Sequence, residues 1–302
     1  MPQAIALAIV PYLATASVVG AIGFTGTAYL ALGIGYALTG AALYGVSTLF
    51  RPDKPSVPKP EDGKYNLKQA VPSLPYALGR NLKGGDYLFL GLAGDGTAFH
   101  ILCLAGHKVN GFLRYYLHDE EVGVDGSGQA TSPGHFVGYV TILTRPGTDV
   151  GIPYTQAVTE FSPSWTNDHR GDGLATMLMA ARTTAADKYQ ETYPYGMPRP
   201  TVEFQGNSQI YDPRTDSYGY SENLALLRLW HLTHPVGGKL LLADMYLPDW
   251  IAAANRCDEM VTNRADESEP RYHGGLWFRA SDDQVKVGML MEQAAELVVY
   301  ER

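Results

Sequence analysis

His231 and His234 stand three residues apart in an apolar run, a spacing that sets two imidazoles on one face of a helix, as a zinc site would require. No third ligand follows in register and no Glu lies between them, so the pair reads as packed or surface histidines. Asp168-His169-Arg170 and Asp172 gather an acid, an imidazole and a guanidinium in a short polar stretch, which reads as a turn. The paired carboxylates Glu120-Glu121 and Asp282-Asp283 are adjacent in sequence, the usual pattern of solvated loops rather than of a general acid and base. Gly94-Asp95-Gly96 and Gly237-Gly238-Lys239 lack the spacing and strand-to-helix setting of a phosphate loop, and the chain has no G-x-S-x-G elbow. Cys103 and Cys257 lie far apart without C-x-x-C spacing and read as two small buried thiols, with a disulfide between them left open. The expectation is therefore of no catalytic residue, no metal ligand, no cofactor-binding residue and no cofactor, in a protein that is not an enzyme.

The elements that carry these residues belong to a chain of 302 residues, long enough for about two domains with their own cores. The net charge of −8 argues against a surface that neutralises phosphates, and no sequence-specific nucleic-acid binding is expected. Twenty Tyr against nine Phe, with 33 Gly and 19 Pro, point to many strands and turns.

Residues 1–50 contain no Asp, Glu, Lys, Arg or His, and are dense in Ala, Leu, Ile, Val and Gly. The stretch is long enough for two helical passes of about 20 residues each, turning near Gly23–Thr27. Small residues such as Gly33, Gly35 and Gly40 favour close helix association, whereas Tyr12, Tyr29, Tyr36 and Tyr44 prefer an interface or a neighbouring helix. An apolar helical hairpin is expected, for a membrane or for burial inside an assembly. Arg51–Pro60, with prolines at 52, 55, 58 and 60, reads as an extended linker that ends near residue 64.

Downstream, Asp86–Leu92 and Ala98–Leu104 read as a hairpin around Ala93–Thr97, followed by strands at Asn110–His118 and Phe136–Leu143 in a meandering antiparallel sheet. Glu120–His135 reads as a loop. Leu174–Thr183 fits a strand or a short helix equally, because a continuous apolar run has no period to decide it. Pro200–Phe204 and Ser208–Tyr211 resemble a second hairpin. Ser221-Glu222-Asn223 places a capping residue before the apolar LALLRLWHLT, and further helices are expected over Pro248–Val261 and Leu290–Val299. Asp212 and Pro213 suit a turn, and Asn255 and Asp258 suit a packed corner rather than chemistry.

Several phrases are similar to the core of lambda-type tail-tip attachment proteins, the J-like central hub proteins of long-tailed phages and gene transfer agents. They are Lys68–Pro72 with Tyr76–Arg80 and Gly84–Leu90, then Ile101–Glu121. The fullest lies within Val202–Val261, from Ile210–Thr215 through Tyr220–Leu226 to Ala252–Glu259, with Arg271-Tyr272 and Gly274-Gly275 behind it. Their order matches over roughly residues 65 to 300. Two departures stand out: family members continue for hundreds of residues past the point matching Tyr300, and the apolar N-terminus is atypical.

The resemblance implies a virion protein of the tail tip or baseplate that closes the tail tube and takes part in host attachment and genome ejection. It implies a homotrimer that meets the distal tail protein ring and the tape-measure protein C-terminus. A second polypeptide would complete the hub, with possible host membrane contact through residues 1–50. The expected fold class is α+β, β-dominated hub domains with an N-terminal apolar helical hairpin. The expected organisation is an apolar segment at 1–50, a Pro-rich linker at 51–64 and β-rich tail hub domains at 65–302. The rival reading is a bacterial membrane-anchored binding protein with a β-rich soluble body.

Overall fold

The structure, a computed structural model, describes residues 72–300. Its strands are β1 (Pro75–Leu78), β2 (Arg80–Gly84), β3 (Asp86–Leu92), β4 (Ala98–Ala105) and β5 (Val109–Leu117). They continue with β6 (Glu120–Val124), β7 (Ala130–Ser132), β8 (Val140–Pro146), β9 (Ala175–Ala181) and β10 (Pro200–Asn207). The short strands β11 (Ile210–Asp212), β12 (Ser217–Gly219), β13 (Met260–Thr262), β14 (Ser268–Pro270) and β15 (Leu276–Arg279) complete the set. The helices are α1 (Thr155–Phe161), α2 (Tyr189–Thr192), α3 (Leu224–Thr233), α4 (Leu247–Cys257) and α5 (Gln284–Ala295).

A four-stranded antiparallel sheet, ordered β3-β4-β9-β8, faces a five-stranded one ordered β2-β10-β5-β6-β7. Between them lie Leu102, Leu104, Met177 and Met179 from the first sheet and Val109, Leu117, Val202 and Phe204 from the second. The opposite face of the first sheet is covered by α1 and by an aromatic group of Phe89, Phe161 and Trp165. Every residue of β4 and β9 is therefore buried, which is why Leu174–Thr183 shows no alternation. A third core belongs to a lobe in which α3, α4 and α5 pack on the ribbon formed by β1 and β15.

The fold class expected from sequence needs correction. The structure is β-rich and only 22% helical, in short helices grouped mainly in one lobe. The apolar helical hairpin expected over residues 1–50, and the linker after it, lie outside the described residues. Among the described residues no helix is long and apolar enough to cross a membrane.

Local expectations divide. The β3–β4 hairpin forms as read, with a bulge at Leu88. The single meander does not, because the chain leaves the first sheet after β4 and places β5 in the second. The supposed loop Glu120–His135 contains β6 and β7. Pro200–Phe204 does not pair with Ser208–Tyr211; β10 lies between β2 and β5, and β11 pairs with β12. The last helix begins at Gln284, capped by the Asp283 carboxylate, which accepts from Val285 N and Lys286 N.

Candidate functional site

Three separated phrases converge on one guanidinium. The turn between β11 and β12 is closed by Asp212, whose Oδ1 accepts from Arg214 N at 2.9 Å. The same carboxylate takes a forked pair of bonds from Arg214 Nε and Nη2, at 2.9 and 2.8 Å. Arg214 Nη1 reaches across to the end of α4, donating to Asp258 Oδ2 at 2.6 Å and to Asn255 Oδ1 at 3.3 Å. Asp258 Oδ1 then accepts from Asn223 Nδ2 at 2.8 Å and from His273 Nε2 at 2.6 Å. Asn223 is buried; its Oδ1 caps α3 through Ala225 N and Leu226 N, and its Nδ2 also donates to Ala254 O.

Arg214 thus ties the β11–β12 turn, the start of α3, the end of α4 and the loop before β15 into one closed set of bonds. The Arg214 donors hold the Asp212 carboxyl below its ordinary range. Burial pulls Asp258 the other way, but hydrogen bonds from His273, Arg214 and Asn223 outweigh it and leave its carboxyl lowered as well.

A second charged cluster joins the sandwich to the β1–β15 ribbon. Asp86, at the start of β3, is buried and receives Arg279 Nη1 and Nη2 at 2.7 Å each. Lys83 on β2 is only 2% exposed; its Nζ donates to Gly84 O at 3.0 Å and lies 5.1 Å from the centre of the Trp277 ring. Desolvation pulls the Lys83 ammonium down to about 8, against the attraction of Asp86. Cys103 lies nearby, and burial raises its thiol to about 12.

The residues singled out from sequence fall elsewhere. His231 and His234 do not converge on a common point. His231 Nδ1 accepts from Arg228 Nη1 at 2.9 Å and its Nε2 faces Gln284 Oε1 at 3.1 Å, whereas His234 stacks on Trp230 and takes Val236 N on Nδ1 at 3.2 Å. Among the described residues no group of three His, Cys, Asp or Glu side chains is placed to hold a metal ion. Asp168 to Asp172 form a turn, in which Thr166 N donates to His169 Nδ1 and Asp172 pairs with Arg170 and accepts from Gly151 N. Asp95 accepts from Thr97 N and Thr97 Oγ1 at the tip of the β3–β4 hairpin, so Gly94-Asp95-Gly96 is a turn. Glu120 pairs with His135 at 3.1 Å, while Glu121 lies on the opposite face of β6. Asp282 accepts from Arg279 N. Both cysteines are buried free thiols, Cys103 on β4 of the sandwich and Cys257 in the helical lobe, so no disulfide joins them.

Clefts open on the described surface, two of them among the residues above. One, of about 910 Å3, is polar and is lined by His118, Glu120, His135, Tyr195 and Arg199 among others. The other, of about 540 Å3, runs past His107, Tyr211, Tyr218, His234 and Leu240.

Sequence reasoning did not single out Lys83, Asp86 or Arg279. A lysine inside a strand segment, three residues before a buried acid, carries no local signal of its distant partner. Arg214 and Asp258 were readable only as parts of fold-specifying phrases, and they do fix a packed corner.

In comparisons with known proteins, no family model and no curated protein matches the chain. It is similar in structure to a chain of a solved particle described as the virion of a native gene transfer agent, at 12% identity and a TM-score of 0.32. The match covers 48% of this chain and 29% of that one.

Proposed function

We propose that the chain is a non-enzymatic structural subunit of a phage-like tail tip, part of the hub that closes the tail tube and takes part in attachment and genome ejection. In this reading it works as a homotrimer on the tail axis. It meets a ring of distal tail protein above and the tape-measure C-terminus within, with a second polypeptide completing the hub.

The observation that carries the reading is the Arg214 network. The phrases most similar to tail-hub proteins, around Ile210–Thr215, Tyr220–Leu226 and Ala252–Glu259, meet there through Arg214, Asn223 and Asp258. Their polar groups bond to one another and to helix ends, an arrangement that holds a corner rigid rather than presenting groups to a reactant. Rigid corners suit a part that transmits load between rings.

The test is cryo-electron microscopy of particles from the source, combined with mass photometry of the purified full chain. Three copies on the tail axis are expected. Absence of the chain from every particle would end the proposal.

A further inference from the structure

Two imidazoles flank Tyr76 where β1 meets the end of α3, and a third, His231, meets Phe278 of β15 edge-on at 5.6 Å. Tyr76 of β1 lies between His107 at 5.6 Å, in a stacked arrangement, and His234 at 5.5 Å, edge-on, and also stacks on Phe278 of β15 at 5.6 Å. His107 follows β4 in the turn before β5. Ala77 N donates to its Nε2 at 2.9 Å, and a backbone amide can only donate, so Nε2 must be the bare nitrogen. Nδ1 then carries the proton and donates to Lys108 O at 3.1 Å.

The same logic applies to the other two rings. Arg228 can only donate, so His231 Nδ1 accepts and its Nε2–H donates to Gln284 Oε1. Val236 N occupies Nδ1 of His234. Each ring therefore holds one backbone or guanidinium donor on a nitrogen that must stay unprotonated. Adding a proton to any of them breaks a bond and sets a charge beside a donor.

We propose that His107, His231 and His234 form an acid-triggered release at the joint between the sandwich and the helical lobe, letting go of the β1–β15 ribbon together when they protonate.

The charges around the joint give a protonated ring little relief. No Asp or Glu is among the residues lining the groove onto which His107 and His234 open, and Lys108 stands on the same groove. From the hairpin side the groups are the phenols of Tyr211 and Tyr218; from β1 it is Tyr76. From α5 the carboxylate is Glu292, and it is held by Arg228 at 2.6 Å. The two groove imidazoles repel one another once charged. In line with this, desolvation lowers all three rings, His107 to about 4.

Release has a defined structural path. Ala77 N–H loses its acceptor, and the remaining link at that edge is the bond from Gly106 N to Pro75 O at 2.7 Å. Tyr76 then sits between two cations, and the stack of Trp230 on His234 at 4.1 Å carries a charge on one ring. β1 lends Ala77 to the sandwich core but belongs to neither large sheet, so its release trims that core at one edge and leaves the strand ladders of both sheets in place.

The experiment follows the imidazole resonances of the full chain by NMR from pH 7.5 to 3.5, beside near-ultraviolet and far-ultraviolet circular dichroism. The expected result is one reversible step below the ordinary imidazole range in which the three rings protonate together, more steeply than a single site. Near-ultraviolet signal is lost there while far-ultraviolet strand signal persists. His107→Gln supplies an amide oxygen for Ala77 N but cannot take the proton, so its midpoint moves to lower pH and its step is less steep. His169→Gln, in a separate loop, leaves the midpoint in place. Rings that titrate singly near pH 6.5, an unmoved midpoint in His107→Gln, or far-ultraviolet collapse in the same step would each overturn the proposal. Should His107→Gln not fold, His234→Gln is read in the same way.

Discussion

Replacing Lys83 by Met tests the claim that an ammonium is held in the sandwich against its own solvation. The side chain is 2% exposed and the ammonium is pulled down to about 8 from an unfolded value of 10.5. Below pH 8 both states carry the proton and the penalty is constant. Between pH 8 and 10.5 the unfolded chain binds more protons than the native one, so stability rises with pH in that window. At pH 9 about nine in ten native molecules have lost the proton against a few in a hundred unfolded ones, a gain of about 1.4 kcal/mol over pH 7. Met fills nearly the same volume without charge, and its variant lacks this contribution. Urea unfolding of both proteins at pH 7, 8 and 9 isolates the effect, because every other titration is common to the two and cancels. The stability of the native protein relative to Lys83→Met should climb by about 1.4 kcal/mol over that range. A difference that stays flat to within about 0.4 kcal/mol would refute the idea that Lys83 is buried as a depressed cation.

Removing the Arg214 side chain leaves Asp212 and Asp258 facing each other without their shared cation. Arg214→Ala should cost about 2 kcal/mol by urea unfolding, a figure discounted for the partial exposure of the three side chains, whereas Arg256→Ala, on an exposed pair with Glu259, should cost under about 0.5 kcal/mol. Because Arg214 holds the Asp212 carboxyl below its unfolded value, the native protein should lose stability as pH falls below about 4, and Arg214→Ala should lose less over that interval. Asn223→Ala removes a helix cap and a donor to Asp258 at once and should lower the midpoint of thermal unfolding, by about 2 kcal/mol in free energy. Both thiols, buried and free, should resist a disulfide reagent at pH 8 and react with two equivalents after denaturation; one fast equivalent in the native state would contradict the packing of Cys103 or Cys257.

What could be read from the residues alone was mostly local. The β3–β4 hairpin announces itself by two apolar runs around a Gly-rich turn, and α3 by Asn223 ahead of a periodic stretch. Partners distant in sequence leave no such trace. β10 looked ready to turn back on the next segment, yet it is flanked by β2 and β5, and only the finished sheet shows it to be central. β6 and β7 were hidden in a Gly-, Ser- and Asp-rich stretch because strands of three to five residues at the end of a sheet bury too little to need an apolar pattern. The candidate site divides the same way. The Asp212 turn was legible from its own dipeptide, but nothing near Asp86 marks Arg279 as its counter-ion. The neutral state of His107 depends on an amide 30 positions away.

The ribbon of β1 and β15 joins Pro75 to Arg279 and Leu78 to Leu276, so strands at opposite ends of the described chain are hydrogen-bonded neighbours. During synthesis β1 must wait until the chain has been made through Arg279 before its mate exists. Sandwich strands can associate in the meantime, but Asp86 has no counter-ion and the Lys83 ammonium has no indole beside it until β15 arrives. Closing so long a loop is slow. An incomplete chain that stops short of Leu276 would therefore expose the edge of β1, a ready target for proteolysis and aggregation. Synthesis through Arg279 is in this way built into the stability of β1.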